Sequence, residues 1–242
     1  MADENVDIDA AEPKASLPEG PIEIDYKRVT VEDIYAYNTY ISQKDDDAAN
    51  LIRKGVLDRM EKGSFSQRFD MIMAFAETPN SGILSFFVLS SGKIDDDTKI
   101  NLLEQMTRAR NSSFKYHISY TERLAADHLY DDMNFDRITK VAYDMGRQEE
   151  KYSGKIEDLL LRRAAIDLDI SSPEKMAKDR MDMLFNYLSL RGEMQFAEDR
   201  PAAMEVLIAS LKEKHSLKDD LSNLLLAEAA RRFPKREMVG AK

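Results

Sequence analysis

The segment SSGKIDDDTKINLLEQM, residues 90–106, places three consecutive aspartates directly before an apolar run. A second triplet, residues 45–47, precedes the run AANLIRKGVLDRM in the same way. Such a triplet could hold a metal ion, or it could start a helix, because a carboxylate at a helix start accepts hydrogen bonds from otherwise unpaired amides. A calcium-binding EF-hand loop needs glycine at its sixth position and glutamate at its twelfth. Those positions hold isoleucine and methionine when counted from Asp95, and asparagine and valine when counted from Asp45. We therefore interpret both triplets as helix starts.

From residue 30 onward, the apolar residues follow the spacing of amphipathic helices. The repeats are Ile34, Tyr37 and Ile41; Phe65, Phe69, Ile72 and Phe75; Met181, Leu184, Phe185 and Leu188; Leu207, Ile208 and Leu211; and Leu221, Leu224 and Leu225. Capping residues that predict helix starts are Thr30 with Asp33, Ser64 with Gln67, Ser216 with Asp219, and Ser172 with Pro173. We expect an all-α fold, a multi-helix bundle of about eight to ten helices with a disordered acidic N-terminal arm.

The segment ILSFFVLS, residues 83–90, is the ambiguous part of this pattern. A short apolar run between glycine-containing turns fits a buried strand as well as a short buried helix. We favour a helix, because the sequence offers no second strong strand with which this segment could pair.

The chain divides into three parts by composition. Residues 1–25 hold eight acidic side chains against one basic side chain and few large apolar groups, so we expect a disordered acidic arm. Residues 26–170 are expected to form the main helical domain. Residues 171–242 are expected to form a C-terminal helical subdomain with a basic tail, because one helical stretch ends and a capped one begins near residues 167–176.

Composition also restricts the location and the partners. The 242 residues are 43% hydrophobic and 33% charged, and they contain no apolar run long enough to span a membrane. Cysteine is absent and the acidic N-terminus lacks a secretory signal, so we expect a cytoplasmic protein without disulfides. The net charge of −10 opposes binding to nucleic acid. The last twelve residues hold five basic side chains and one acidic one, so a nucleic-acid contact is expected only through this tail.

No linear motif for catalysis or cofactor binding is present. The sequence contains neither HExxH nor a glycine-rich phosphate loop, and we expect no cofactor, no metal and no enzymatic activity. His117, Glu122 and His128 are five and six residues apart, so they do not share one helix face. His128, with aspartates on both sides, is the best metal candidate, but we interpret it as an ordinary surface histidine. The alternative is a helical enzyme that uses Asp, Glu and His side chains near residues 117–132.

The remaining candidates are residues suited to binding another protein. Ile22, Ile24 and Tyr26 alternate with polar residues, which is the period of a strand that could pair with a neighbouring subunit. A helix with three tyrosines, Tyr35 and Tyr40 among them, places these rings on two faces, and we favour their burial within the chain over an interface. The partner-binding candidates are Ile22, Ile24, Tyr26, Tyr35, Tyr40, Arg232, Lys235 and Arg236.

These features favour a non-enzymatic helical protein that works through protein partners and self-association. Structural subunits, assembly factors and adaptors of larger particles, viral particles included, belong to this class.

Overall fold

The computed structural model describes residues 31–79, 81–111, 117–149, 152–170 and 178–234. In these residues the chain forms twelve α-helices and no strand, so the predicted all-α fold is confirmed. The helices are α1 (Val31–Gln43), α2 (Asp46–Lys62), α3 (Phe65–Glu77), α4 (Gly82–Ser90), α5 (Asp96–Arg108), α6 (Ile118–Asp127), α7 (Asp132–Glu149), α8 (Gly154–Ile170), α9 (Lys178–Leu188), α10 (Gly192–Gln195), α11 (Arg200–His215) and α12 (Asp219–Arg232). Their number exceeds the eight to ten expected from the sequence, and α10 is a single turn of four residues. The acidic arm at residues 1–25 and the predicted caps Thr30 and Ser172 lie outside the described residues.

Both aspartate triplets start helices, as the sequence predicts. Asp45 precedes α2 and accepts a hydrogen bond from the backbone amide of Ala48 at 3.1 Å. Asp95 precedes α5 and accepts a hydrogen bond from the backbone amide of Thr98 at 2.8 Å. In each case the next two aspartates lie in the first helical turn, where their charge is favoured by the positive end of the helix dipole.

The predicted cap at Ser64 is confirmed, and the predicted cap at Ser216 is wrong. Ser64 and Gln67 form a reciprocal capping box at the start of α3. Ser216 instead ends α11, with left-handed backbone angles of φ 50° and ψ 45°, and its amide donates to the carbonyl of Lys212. Only residues 216–218 separate α11 from α12. Because Ser216 ends α11, it does not serve as the N-terminal cap of α12 that the sequence predicted.

Residues 83–90 lie within α4, so the predicted helix is confirmed. Leu84, Val88 and Leu89 are completely buried, and α4 packs against α2. Ile83 and Phe86 lie on the exposed side of the helix.

One apolar core extends through the described helices. α3 packs against α5, α1 against α2, α6 against α7, and α11 against α12. α9 packs against α7 and α8, and α12 packs against α8, so helices on both sides of residues 171–177 share this core. The division of the chain at residue 170 stays a prediction. Among the described helices, none combines the length and the apolar character that a membrane crossing requires.

Two buried arginines tie α7, α8 and α9 together. Arg163 of α8 donates to the carbonyl of Leu129 at 2.6 Å and to Asp167 at 3.0 Å. Arg180 of α9 pairs with Asp136 of α7 at 3.2 Å and with the same Asp167. Because carboxylates face both guanidinium groups, these buried charges are matched, which limits the cost of removing them from water.

Candidate functional site

The first candidate site is a groove between α3 and α5, hereafter the α3–α5 groove. Its lining includes Phe65, Phe69, Ile72, Thr98, Asn101 and Gln105. The volume of the groove is about 320 Å³. Phe65 is 76% exposed and Phe69 is 45% exposed, and their rings stack with centroids 6.3 Å apart. The groove therefore presents two large apolar rings to solvent.

The exposure of these rings was not evident from the sequence pattern, which placed four residues of α3 on one apolar side of the helix. Ile72 and Phe75 are buried as expected, whereas Phe65 and Phe69 lie at the surface. The capping box at Ser64 fixes the start of α3 immediately before Phe65, and only the later turns of this helix reach the core. Position within the helix, and not apolar spacing alone, decides which rings are buried.

The charged groups at the rim of the groove are already paired within the chain. Asp95 forms an ion pair with Arg68 at 3.1 Å, and Asp97 forms one with Arg137 at 2.5 Å. Burial alone would raise the pKa of Asp95, but hydrogen bonds from Thr98 and the charge of Arg68 hold this pKa below its ordinary value. Asp95 is therefore ionised at neutral pH, and both aspartates at the rim have an arginine partner within the chain.

The second candidate site is a cleft between α6, α8 and the end of α11, hereafter the α6–α8 cleft. The charged residues that line it are Glu122, Arg123, Lys155, Asp158, Lys214 and His215. Its apolar lining includes Ala126 and Leu159, and its volume is about 490 Å³. This volume is in the range of clefts that take small molecules.

Glu157 lies beside this cleft and is completely buried. Its carboxylate is contacted by Arg191 at 2.8 Å, Lys214 at 3.0 Å, His215 at 3.3 Å, and the hydroxyl of Tyr152. A buried carboxylate without such partners would be strongly destabilising. The cluster therefore holds α8 to the segment before α10 and to the end of α11.

Glu122 is held in place on the α6 side of the cleft. Its carboxylate accepts a hydrogen bond from the Ser153 hydroxyl at 2.6 Å and pairs with Lys155 at 3.3 Å. The amide of Ser153 in turn donates to the hydroxyl of Tyr187 at 3.0 Å. Burial raises the pKa of Tyr187 to about 12, so this hydroxyl keeps its proton at neutral pH.

Asp158 and His215 face each other on the opposite side of the cleft. Nδ1 of His215 lies 3.2 Å from Asp158, while Nε2 lies 3.3 Å from Glu157. Asp158 also pairs with Arg162 at 4.0 Å. Both carboxylates that line the cleft thus have cationic partners.

Arg123 differs from the other charged residues of the cleft. Among the described residues, no carboxylate lies within ion-pair distance of its guanidinium group. The guanidinium lies over the ring of Tyr120, 4.9 Å from its centroid. This contact orients the cation without neutralising it.

Of the partner-binding residues predicted from the sequence, Tyr40 and Arg232 have described side chains, and neither lines the α3–α5 groove or the α6–α8 cleft. Ile22, Ile24, Tyr26, Lys235 and Arg236 lie outside the described residues, and Tyr35 lies in α1. Tyr40 is 8% exposed, and its hydroxyl has no hydrogen-bond partner among the described residues. Arg232 pairs with Glu228 at 2.6 Å and with Asp182, and it lies over the ring of Phe185. Tyr40 is thus buried in the core, and Arg232 is paired with carboxylates of the same chain. Partner binding by the predicted residues stays a prediction.

The residues of the enzyme alternative occupy separate environments. His117 is completely buried, and its Nε2 lies 2.8 Å from the hydroxyl of Ser85. Burial lowers the pKa of His117 to about 4, so the imidazole is neutral at pH 7. Glu122 lines the cleft, and Asp127 is exposed outside it. The structure does not join His117, Glu122 and Asp127 in one site.

His128 connects two aspartates and is mostly buried, in contrast to the surface histidine expected from the sequence. Its Nε2 lies 3.0 Å from Asp96 and its Nδ1 lies 3.3 Å from Asp131. Because the two carboxylates face opposite nitrogens of one ring, they do not converge on a point where an ion could bind. In the described part of the chain, no group of three or more His, Asp or Glu side chains is placed to hold a metal ion.

Glu122 is the residue of these two sites that the sequence singled out as a candidate functional side chain. The apolar repeat of α3 included Phe65 and Phe69 without distinguishing them from the buried residues, although a phenylalanine directly after a capping serine lies in the outermost turn of a helix. Glu157 and Lys214 are 57 residues apart, and no sequence pattern links them.

No family model, curated protein or solved structure matches this chain. The functions considered below therefore rest on the residues of the chain itself.

Proposed function

We propose that this chain is a non-enzymatic assembly protein whose copies bind one another through the α3–α5 groove. The observation that carries the proposal is the exposed and stacked pair Phe65 and Phe69. Single apolar residues are common on protein surfaces, but adjoining large rings beside a groove are typical of binding sites. Aromatic side chains of this kind often provide much of the binding energy of an interface.

A second copy is the partner that this surface fits best. Phe65 projects from the surface, and the groove beside it is large enough to receive a phenyl ring. A two-fold interface uses the same patch on both subunits, so each subunit must offer both the projecting group and the site that receives it. The α3–α5 groove offers both, and in a two-fold pair Phe65 of each copy would enter the groove of the other.

The charges at the rim of the groove favour the same arrangement. A charge that is covered by a partner is costly when it is unpaired. Asp95 and Asp97 already have arginine partners within the chain, so a second copy could cover them without burying an isolated charge.

The proposal keeps the class expected from the sequence, a structural subunit, assembly factor or adaptor, with the cytoplasm as its location. The proposal does not depend on the predicted strand at residues 22–26, which would provide a separate contact.

The test is the mass of the full chain in solution, measured by light scattering between about 1 and 200 μM, a range that covers typical weak and moderate dimers. We expect a concentration-dependent rise toward twice the chain mass of 27.7 kDa. The double variant Phe65→Ser and Phe69→Ser should stay a monomer throughout this range.

The matched control is Phe196→Ser, because Phe196 is 84% exposed and lies outside the groove. The control should associate as the unmodified chain does, and circular dichroism should show that all variants are folded. A full chain that is monomeric throughout the range, or a double variant that associates normally, would overturn the proposal.

A further inference from the structure

We infer that the α6–α8 cleft binds a small organic carboxylate, which Arg123 and Lys214 hold by its negative charge. This site is separate from the α3–α5 groove, and the inference does not rest on self-association.

The shape and lining of the cleft suit a small molecule with an apolar body. Its volume is about 490 Å³, and Ala126 and Leu159 provide apolar surface between the charged rims. Small-molecule sites usually combine apolar walls with a few charged groups that fix orientation. A ligand with one charged end and an apolar body matches this pattern.

The acidic residues of the cleft are occupied by partners of their own. Glu122 is bound by Ser153 and Lys155, and Asp158 is paired with His215. These carboxylates therefore have little capacity left for a cationic ligand.

Arg123 supplies the unmatched positive charge. It has no carboxylate within ion-pair distance among the described residues, and Tyr120 holds its guanidinium from one side. A guanidinium group can form two parallel hydrogen bonds to the two oxygens of a carboxylate. A monatomic anion such as chloride cannot form this bidentate pair.

Lys214 provides a second cation that can turn toward a ligand. Its partner Glu157 also bonds to Arg191, His215 and Tyr152, so Glu157 stays compensated when Lys214 moves. The side chain of Lys214 is 54% exposed, which leaves it free to reorient. Two cations therefore face the cleft from α6 and from the end of α11.

The charges of the lining favour a ligand with a single negative charge. Arg123, Lys155 and Lys214 stand against Glu122 and Asp158, so these five side chains of the lining carry one excess positive charge. A dianion such as phosphate would meet the same two carboxylates with one more negative charge to compensate. The single negative charge of a monocarboxylate balances the excess positive charge of the lining.

The experiment is a titration of the full chain, labelled with ¹⁵N, followed by two-dimensional NMR. The probes are benzoate, its neutral analogue benzamide, and inorganic phosphate, each at the same ionic strength. We expect benzoate to shift the amide signals of Gly154 and Lys155, at the cleft, with a dissociation constant on the order of millimolar, as is usual for a ligand of this size. Benzamide and phosphate should leave these signals nearly unchanged.

The variant Arg123→Gln should weaken benzoate binding by about tenfold, because it removes one charge-assisted interaction. The control is Arg147→Gln, since Arg147 is an exposed arginine of α7 that does not line the cleft. Equal shifts from benzoate and benzamide, equal shifts from benzoate and phosphate, or unchanged benzoate affinity in Arg123→Gln would each overturn the inference. Because the readout is local to the cleft, none of these results bears on self-association.

Discussion

The hydroxyl of Ser85 lies 2.8 Å from Nε2 of His117, and both side chains are completely buried. A serine beside a histidine is the arrangement of a nucleophile and its base, but here neither side chain is accessible to a substrate. The other ring nitrogen, Nδ1, has no hydrogen-bond partner among the described residues. The pair therefore connects α4 to the start of α6, and it affects the stability of the folded chain.

We expect the free energy of unfolding to fall as the pH decreases from about 6.5 to about 4, because of His117. Burial lowers the pKa of His117 to about 4 in the folded chain, while the unfolded chain has the ordinary value of 6.5. Between these values the unfolded chain binds a proton that the folded chain excludes. This group thus costs no stability above pH 6.5, and its destabilising effect grows to about 3 kcal/mol as the pH approaches 4.

The measurement is urea denaturation at several pH values for the unmodified chain and for His117→Gln. All other titratable groups are the same in both proteins, so the difference between the two curves isolates the contribution of His117. Identical pH dependence in the two proteins would contradict this account of the buried imidazole.

The fold was predictable from the sequence where local chemistry decides the structure. The aspartates at 45 and 95 and the serine at 64 start helices because their side chains bond to amides only three residues away. The assignment of residues 83–90 to a helix required only the absence of a strand to pair with. Ser216 shows the limit of local patterns. The connection between α11 and α12 is short, and Ser216 ends α11 instead of starting α12.

The candidate sites could not be predicted, because they depend on contacts between distant parts of the chain. The Glu157 cluster joins α8 to Arg191 and Lys214, and nothing near Glu157 in the sequence indicates those partners. Phe65 and Phe75 carry the same side chain on one helix, yet the first is exposed and the second buried. Packing against other helices makes this difference.

Removal of the cap at Asp45 should destabilise the chain more than removal of a neighbouring aspartate. In Asp45→Ala the amide of Ala48 loses its acceptor, and we expect a cost of about 1 kcal/mol. Asp45→Asn should be close to the unmodified chain, because an asparagine side chain can also accept this bond. Urea denaturation gives the free energy of unfolding of the unmodified chain, Asp45→Ala and Asp45→Asn.

The control for the cap is Asp47→Ala, since Asp47 lies in the same triplet but only contributes charge to the first turn. Its cost should be about half that of Asp45→Ala or less. Calcium chloride should leave the melting temperature unchanged. A rise in melting temperature with calcium that is lost in Asp45→Ala would show instead that the triplet binds a metal ion.

Asn111→Asp should destabilise the chain more than Asn111→Ala does. Its amide nitrogen is buried and donates to the carbonyls of Phe75 and Thr78, both at 2.8 Å, and so closes the end of α3. Alanine leaves these carbonyls without this donor, at a cost of about 2 kcal/mol. Aspartate places a buried negative charge against them and should cost more at pH 7.

Thermal and urea unfolding of Asn111→Ala and Asn111→Asp, compared at pH 7, provide the measurement. Asn223→Asp is the matched control, because Asn223 is exposed on α12 and should change stability by about 0.5 kcal/mol or less. If Asn111→Asp were as stable as Asn111→Ala, the amide could not be the donor to these carbonyls.

Glu157→Ala should be among the most destabilising single substitutions in α8. The substitution leaves Arg191, Lys214 and His215 facing a position without a carboxylate. Breaking a buried ion pair from one side costs about 3–5 kcal/mol, and we expect the lower end because Lys214 can turn into solvent. Lys214→Met should cost much less, since Glu157 keeps its other partners.

The ion pair between Arg191 and the exposed Glu193 provides the comparison for this cluster. The side chain of Glu193 is 65% exposed, so Glu193→Ala should change the free energy of unfolding by about 0.5 kcal/mol or less, although it removes a carboxylate from the same arginine. Urea denaturation of the three variants then orders them as Glu157→Ala, Lys214→Met and Glu193→Ala, from most to least destabilising. If Lys214→Met were as costly as Glu157→Ala, the partners of Glu157 would not substitute for one another, and Lys214 would not be available to a ligand in the α6–α8 cleft.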